Sequence, residues 1–96
     1  MSAPTVAEKG YTIREGLSGP TDAQHPFIEG VVNGIGVVTA FEYQPDNGDL
    51  CWLLATYPAL FQFAGVARPT AVKVPADEAR RWVELLTALY AKAVAA

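Results

Sequence analysis

Side chains that carry most enzymatic and metal chemistry are scarce in this chain: one cysteine, one histidine and two serines. With Cys51 alone, no internal disulfide can form, and a reducing cytoplasm is the expected compartment. His25 and Cys51 together fall short of the closely spaced ligands that a transition metal needs. A Cys-His nucleophilic pair is disfavoured, because Cys51 lies between Leu50 and Trp52 in an apolar segment and reads as a buried, inert thiol. His25, just before Pro26, reads as a surface turn residue. Ser18 sits in Gly16-Leu17-Ser18-Gly19, which lacks the spacing of a nucleophile elbow and reads as a turn. Gly30, Gly34 and Gly36 form neither phosphate-binding glycine pattern, and no lysine follows them to meet a phosphate. No catalytic residue, cofactor or metal site is expected.

Positive charge is missing over a long stretch. Between Glu15 and Ala67 there is no Lys or Arg, while Glu15, Asp22, Glu29, Glu42, Asp46 and Asp49 all fall within it. The C-terminal part, from Arg68 onward, is mildly basic. The net charge of −3 speaks against nucleic acid or an anionic membrane as a partner, since neither gains by counterion release on such a surface. No apolar run approaches the roughly 20 residues that cross a bilayer. Met1 to Gly10 carries Glu8 and lacks a basic stretch followed by an apolar one, so no secretory leader is expected.

What the chain does have is apolar surface. Hydrophobic residues make up 51% and charged residues 18% of 96 residues, which fits a folded domain and leaves no room for a second core. Residues 1–9 show no periodic pattern and are expected to be loosely ordered, with a single domain over 10–96. Tyr11, Ile13 and Glu15 alternate with Thr12 and Arg14 as a short strand, and Gly16 to Pro26 reads as a loop. Asn33-Gly34 between Phe27–Val32 and Ile35–Tyr43 is the preferred two-residue hairpin turn. An uninterrupted register from that turn pairs Val32 with Ile35, Val31 with Gly36, Gly30 with Val37, Glu29 with Val38, Ile28 with Thr39 and Phe27 with Ala40. Close packing or a bulge accounts for Gly30 and Gly36. After the turn-rich run Gln44–Asp49, Leu50–Thr56 is a third strand of the meander, with Tyr43 opposite Leu50 and Phe41 opposite Trp52. Pro58–Ala64 favours a short helix over a strand, Arg68-Pro69-Thr70 a turn, and Ala71–Val74 one more strand.

The last element is an amphipathic helix from Pro75 to about Val94. Ala79, Trp82, Val83, Leu85, Leu86, Leu89, Tyr90 and Ala93 share one broad face, and Arg80, Arg81, Glu84 and Lys92 the other. Asp77 and Glu78 complement its positive end. Trp52 and Trp82 are assigned to the core where helix meets sheet. The expected fold is therefore α+β: an antiparallel meander of about four to five strands with one long C-terminal helix packed on the sheet. Both sheet faces are largely apolar, so the face away from the helix needs the 58–64 segment together with the N-terminal arm, a second copy or a ligand.

Carboxylates give no catalytic pair. Glu29 and Glu42 share a predicted face but lie about 13 Å apart along the strands, too far to act together. Asp46 and Asp49 flank a turn that lacks the ligand count of a calcium loop. The leading expectation is a non-catalytic protein-interaction module, such as an inhibitor, an immunity or antitoxin protein, a phage-encoded antagonist of host defence, or an accessory subunit. Its partner is a protein, basic where it meets the acidic hairpin. The partner-binding candidates are Glu42, Tyr43, Asp46 and Asp49, with Tyr57, Phe61 and Phe63 as aromatic anchors. One alternative is a homodimeric small-molecule-binding protein or small enzyme with a pocket at the sheet interface. Another is a structural subunit of a larger assembly.

Overall fold

The computed structural model describes residues 10–65 and 71–95. The loosely ordered arm expected at 1–9 and the turn expected at Arg68–Thr70 lie outside these residues. Five strands form one antiparallel sheet in sequence order: β1 (Thr12–Ser18), β2 (His25–Val32), β3 (Ile35–Tyr43), β4 (Cys51–Thr56) and β5 (Ala71–Val74). A short helix, α1 (Pro58–Phe63), follows β4, and the long helix α2 (Ala79–Ala95) closes the chain. The α+β meander with its C-terminal helix is thus the architecture read from the sequence.

The central hairpin turns where the Asn-Gly pair requires it. Asn33 has φ +53° and Gly34 has φ +79°, the left-handed conformations that a tight hairpin turn needs at both central positions. Val32 faces Ile35 and Val31 faces Gly36, as expected. The ladder then slips between Gly30 and Val31. Beyond this bulge Gly30 pairs with Val38, Glu29 with Thr39, Ile28 with Ala40 and Phe27 with Phe41, each one residue off the uninterrupted register. Because side chains alternate, one extra residue moves a whole strand's set to the other face. Val38 and Ala40 turn toward α2, and Phe41 turns away from it.

The β3–β4 register is also one residue off the expectation. Tyr43 pairs with Cys51, Glu42 with Trp52, Phe41 with Leu53 and Ala40 with Leu54. The strand starts at Cys51 and not at Leu50, after a turn closed by the Gly48 N–H to Pro45 carbonyl bond of 3.3 Å. The loop expected at Gly16–Pro26 is shorter than predicted. Gly16, Leu17 and Ser18 extend β1, and His25 and Pro26 begin β2. Gly16 stays in the ladder because the Phe27 ring lies over it, so close that a Cβ there would sit 3.0 Å from the ring edge. An aromatic side chain covering a strand glycine restores the packing that the glycine lacks.

The core lies between α2 and one sheet face. Ile28, Val32, Val37, Val38, Ala40 and Leu54 from the sheet meet Ala79, Val83 and Ala91 from α2, with Trp52 and Leu60 packed at its edge. Ala79, Val83, Thr87 and Ala91 recur every four residues as the buried stripe of α2. Their small size lets helix and sheet approach closely, and the closest point is Thr87 over Gly30. Both buried threonines satisfy themselves locally. Thr87 donates to the Val83 carbonyl at 2.6 Å, and Thr39, on the other face of the sheet, to the Ile28 carbonyl at 3.1 Å, so neither hydroxyl is buried unpaired.

Two expectations about α2 are corrected. It starts at Ala79; Pro75 to Glu78 instead form a turn, so no acidic residue lies in its first turn. Its broad apolar face is divided. Val83, Leu86 and Tyr90 face the core, but Trp82 is 40% exposed, its indole N–H reaching Glu78 Oε1 at 3.2 Å. The stripe of small residues is sufficient to dock the helix, and the larger residues a third of a turn away remain outside.

Candidate functional site

The open face of the sheet collects side chains from four strands. Alternation puts Arg14 and Ser18 of β1, Phe27 and Glu29 of β2, Thr39 and Phe41 of β3 and Ala55 of β4 on this side. Tyr57, just past β4, completes the set. Together they line a depression of about 390 Å³. Apart from Tyr57, which is the N-cap of α1, none of these lining residues comes from a helix. The short helix lies on the other side: Leu60 packs on the core and Phe63 meets the Tyr90 ring of α2 edge-on, centroids 5.3 Å apart. The 58–64 segment is the helix favoured from sequence, yet it does not cover this face.

A polar cluster sits within the apolar floor. Arg14 and Glu29 are direct cross-strand partners, and the guanidinium reaches Glu29 Oε1 from Nη2 at 2.8 Å and from Nε at 3.0 Å. The same guanidinium lies 5.7 Å from the centre of the Phe27 ring, within cation–π range. The Arg14 side chain is 64% exposed but that of Glu29 only 14%, so the carboxylate is the sequestered partner. Its second oxygen, Oε2, lies on the side of Gly36 and the Tyr57 ring, both within contact of the space where a Gly36 Cβ would stand. Burial, and then the hydrogen bond to Glu29 and its negative charge, hold the Tyr57 phenol above its ordinary pKa of 10.0; Thr39 and Arg14 oppose them. Tyr57 therefore stays a neutral donor, and Glu29 is engaged from both sides. Such a cluster presents a fixed pair of opposite charges beside aromatic rings. It offers no free nucleophile and no pair of carboxylates.

Glu29 and Glu42, expected on one face, are on opposite faces. The bulge pairs Glu29 with Thr39, while Glu42 sits across from Trp52. Glu42 instead meets His25, Oε1 to Nδ1 at 2.8 Å, so His25 is a strand residue held by a carboxylate and not a free turn residue. Cys51 is only partly buried. Among the described residues no three His, Cys, Asp or Glu side chains come together as a metal site would require.

The partner-binding residues named from sequence fall in three places. Tyr43, Asp46 and Asp49 stand at the β3–β4 turn, where all three are exposed, with Glu42 beside them. Tyr57 is at the other end of β4, about 20 Å away at strand rise. Phe61 and Phe63 ride on α1, where Phe63 is exposed beside Tyr90. Only Tyr57 joins the depression. Arg14, Phe27, Thr39 and Phe41 were missed as site residues. The signal that finds Phe41 is Gly30 beside β-branched Val31, a strand glycine that marks a bulge. A comparison with protein-family models, curated proteins and solved structures finds no match for this chain.

Proposed function

We propose that the chain is a non-catalytic protein-interaction module that docks a partner on the open face of the sheet, with the acidic β3–β4 turn at its rim. Inhibitors, immunity and antitoxin proteins, phage-encoded antagonists of host defence and accessory subunits work in this way. The observation that carries the reading is the open apolar face itself. Phe27, Phe41, Ala55 and Tyr57 surround one self-neutralised Arg14–Glu29 pair in a depression that has no wall opposite among the described residues.

A small-molecule site typically buries most of its ligand's surface, and among the described residues this sheet face has no opposing layer to do that. A protein partner supplies the missing layer. Aromatic residues and an arginine are the side chains that anchor protein interfaces. Asp46 and Asp49 add an exposed negative rim that steers a basic partner. The Arg14–Glu29 pair fixes register across the face, because a partner that covers it must meet both charges in place.

Capture from a lysate of the native host, followed by identification of the retained proteins, tests the reading. The parent chain should retain a protein that Phe41→Glu loses and that Asp46→Lys with Asp49→Lys holds more weakly. Circular dichroism controls for folding of each variant. If folded Phe41→Glu retains the same protein as the parent, the sheet face is not the docking surface.

A further inference from the structure

A second apolar surface lies on the opposite side of the molecule and is independent of the sheet face. Trp82, Leu85 and Leu89 of α2 are 40%, 50% and 57% exposed. With Glu78, Arg81 and Trp82 around it, Leu85 borders a groove of about 380 Å³. Glu78, Leu85 and Lys92 are spaced by seven residues, the interval that keeps side chains on one helical stripe facing a second helix. Glu78 stands at the head of the stripe, just before the helix, where its carbonyl accepts the first helical bond, from the Trp82 N–H at 3.0 Å.

We propose that this stripe is the seam of a homodimer in which two copies of α2 pack antiparallel about a two-fold axis at Leu85. A two-fold interface must be complementary to itself, and this one is. Leu85 meets its own copy. Three residues to either side, the large Trp82 lies opposite the small Ala88, so bulk meets space twice. Arg81 lies opposite Leu89, where its aliphatic stem covers the leucine while its charge stays in water. Seven residues to either side, Glu78 lies opposite Lys92, giving two symmetric ion pairs at the ends of the seam. Among the described residues neither Arg81 nor Lys92 has a salt-bridge partner within its own chain. A parallel pairing would instead bring Glu78 against Glu78 and Lys92 against Lys92. A foreign partner accounts for none of this internal symmetry of size and charge.

Sedimentation equilibrium on the full chain tests the proposal. The parent should dimerise, and Leu85→Arg should be a folded monomer. Lys92→Glu and Glu78→Lys should each weaken the dimer about tenfold, since each reverses both end pairs. Mixed in equal amounts, these two variants should recover the parent's affinity as a heterodimer, because every end pair is then again opposite in sign. The seam is overturned by a parent chain that stays monomeric up to about 1 mM, the weak limit of specific association. It is equally overturned by a dimer that survives Leu85→Arg, by a dimer lost on Phe41→Glu instead, or by a mixture no tighter than its components. The Phe41→Glu result also separates this proposal from the docking role of the sheet, which stands or falls on partner capture alone.

Discussion

Gly30 is the point on which helix, sheet and open face depend together, and replacing it with alanine tests the packing most directly. An added Cβ would stand 1.7 Å from Thr87 Oγ1, 2.8 Å from its Cβ and 2.9 Å from its Cγ2. Rotating Thr87 does not relieve this. It breaks the bond to the Val83 carbonyl and leaves the Cβ contact about an ångström inside the van der Waals optimum. The helix must retreat from the sheet. Overpacking of this kind costs about 1–3 kcal/mol, partly offset by about 0.4–1 kcal/mol from the stiffer unfolded chain. A net loss of about 1–2 kcal/mol follows, a large share of the 5–15 kcal/mol typical of a domain. At about 4–8 °C per kcal/mol for a chain of this length, the Tm should fall by some 10 °C. Urea titration followed by circular dichroism measures it, with an unchanged m value if only the native state is affected. Thr87→Ala in the same chain removes the two outer atoms but keeps the 2.8 Å Cβ contact, so it should recover part of the loss, a coupling of about 0.5 kcal/mol or more. A Gly30→Ala protein within about 0.5 kcal/mol of the parent, or a double variant no better than the single, would refute the close approach of α2 to β2.

Gly34→Ala offers the opposite case. Nothing lies within 4 Å of its Cβ position, but φ is +79°, so the expected loss is backbone strain alone, about 1–2 kcal/mol, and no second-site change should rescue it. Tyr57 gives a pH signature. Its folded pKa is raised above the ordinary 10.0, so the folded state keeps a proton that the unfolded chain releases near pH 10. The resulting stability is fully present below pH 10 and declines as pH rises from there through the raised value. Tyr57→Phe should abolish this component of the alkaline decline, and a parent and variant with identical urea midpoints at every pH above 10 would contradict it. Asp46→Lys with Asp49→Lys should leave the unfolding midpoint within about 0.5 kcal/mol of the parent, as for exposed sites. It should slow association with the captured partner and flatten its salt dependence; an unchanged association rate would remove the acidic turn from the docking surface.

Much of the architecture was legible because local chemistry and global fold agree. Asn33-Gly34 admits little besides a tight hairpin, Pro58 and Gly65 bracket a short helix, and the apolar period of the last segment defines α2. What was not legible was register. Alternation alone cannot place a bulge, and the slip at Gly30/Val31 exchanges the faces of β3, sending Phe41 out and Val38 and Ala40 in. Gly16 read as a breaker because the ring that covers it, Phe27, comes from the neighbouring strand. Trp82 read as core because a helical wheel gives an apolar arc without saying which part of it the sheet needs. Thr87 looked polar, yet it is buried against Gly30 while the larger leucines around it are not. The candidate site inherits these errors. Tyr57 was identified, but Phe41, Phe27, Arg14 and Thr39 come together only once the bulge is in place.

The distribution of size within the molecule points to a chain stabilised by what covers it. Its buried hydrophobic residues are Ile, Val, Leu and Ala, with no aromatic among them, while Leu17, Ile35, Leu50, Phe63, Trp82, Leu85 and Leu89 are exposed. At about 25 cal/mol per Å² of apolar surface buried, covering those side chains supplies energy that the isolated fold forgoes, and a small domain has little to spare. Anything that binds the native state but not the unfolded one adds stability in proportion to the logarithm of its concentration. If α2 is the seam between copies, the Tm of the pure protein must rise with protein concentration. The slope should vanish in Leu85→Arg, a change at a half-exposed side chain outside the buried stripe of α2. Phe41→Glu should keep the slope, since Phe41 lies on the sheet face away from α2. A Tm independent of concentration in the parent would mean that the exposed leucines of α2 contribute nothing between copies of the chain.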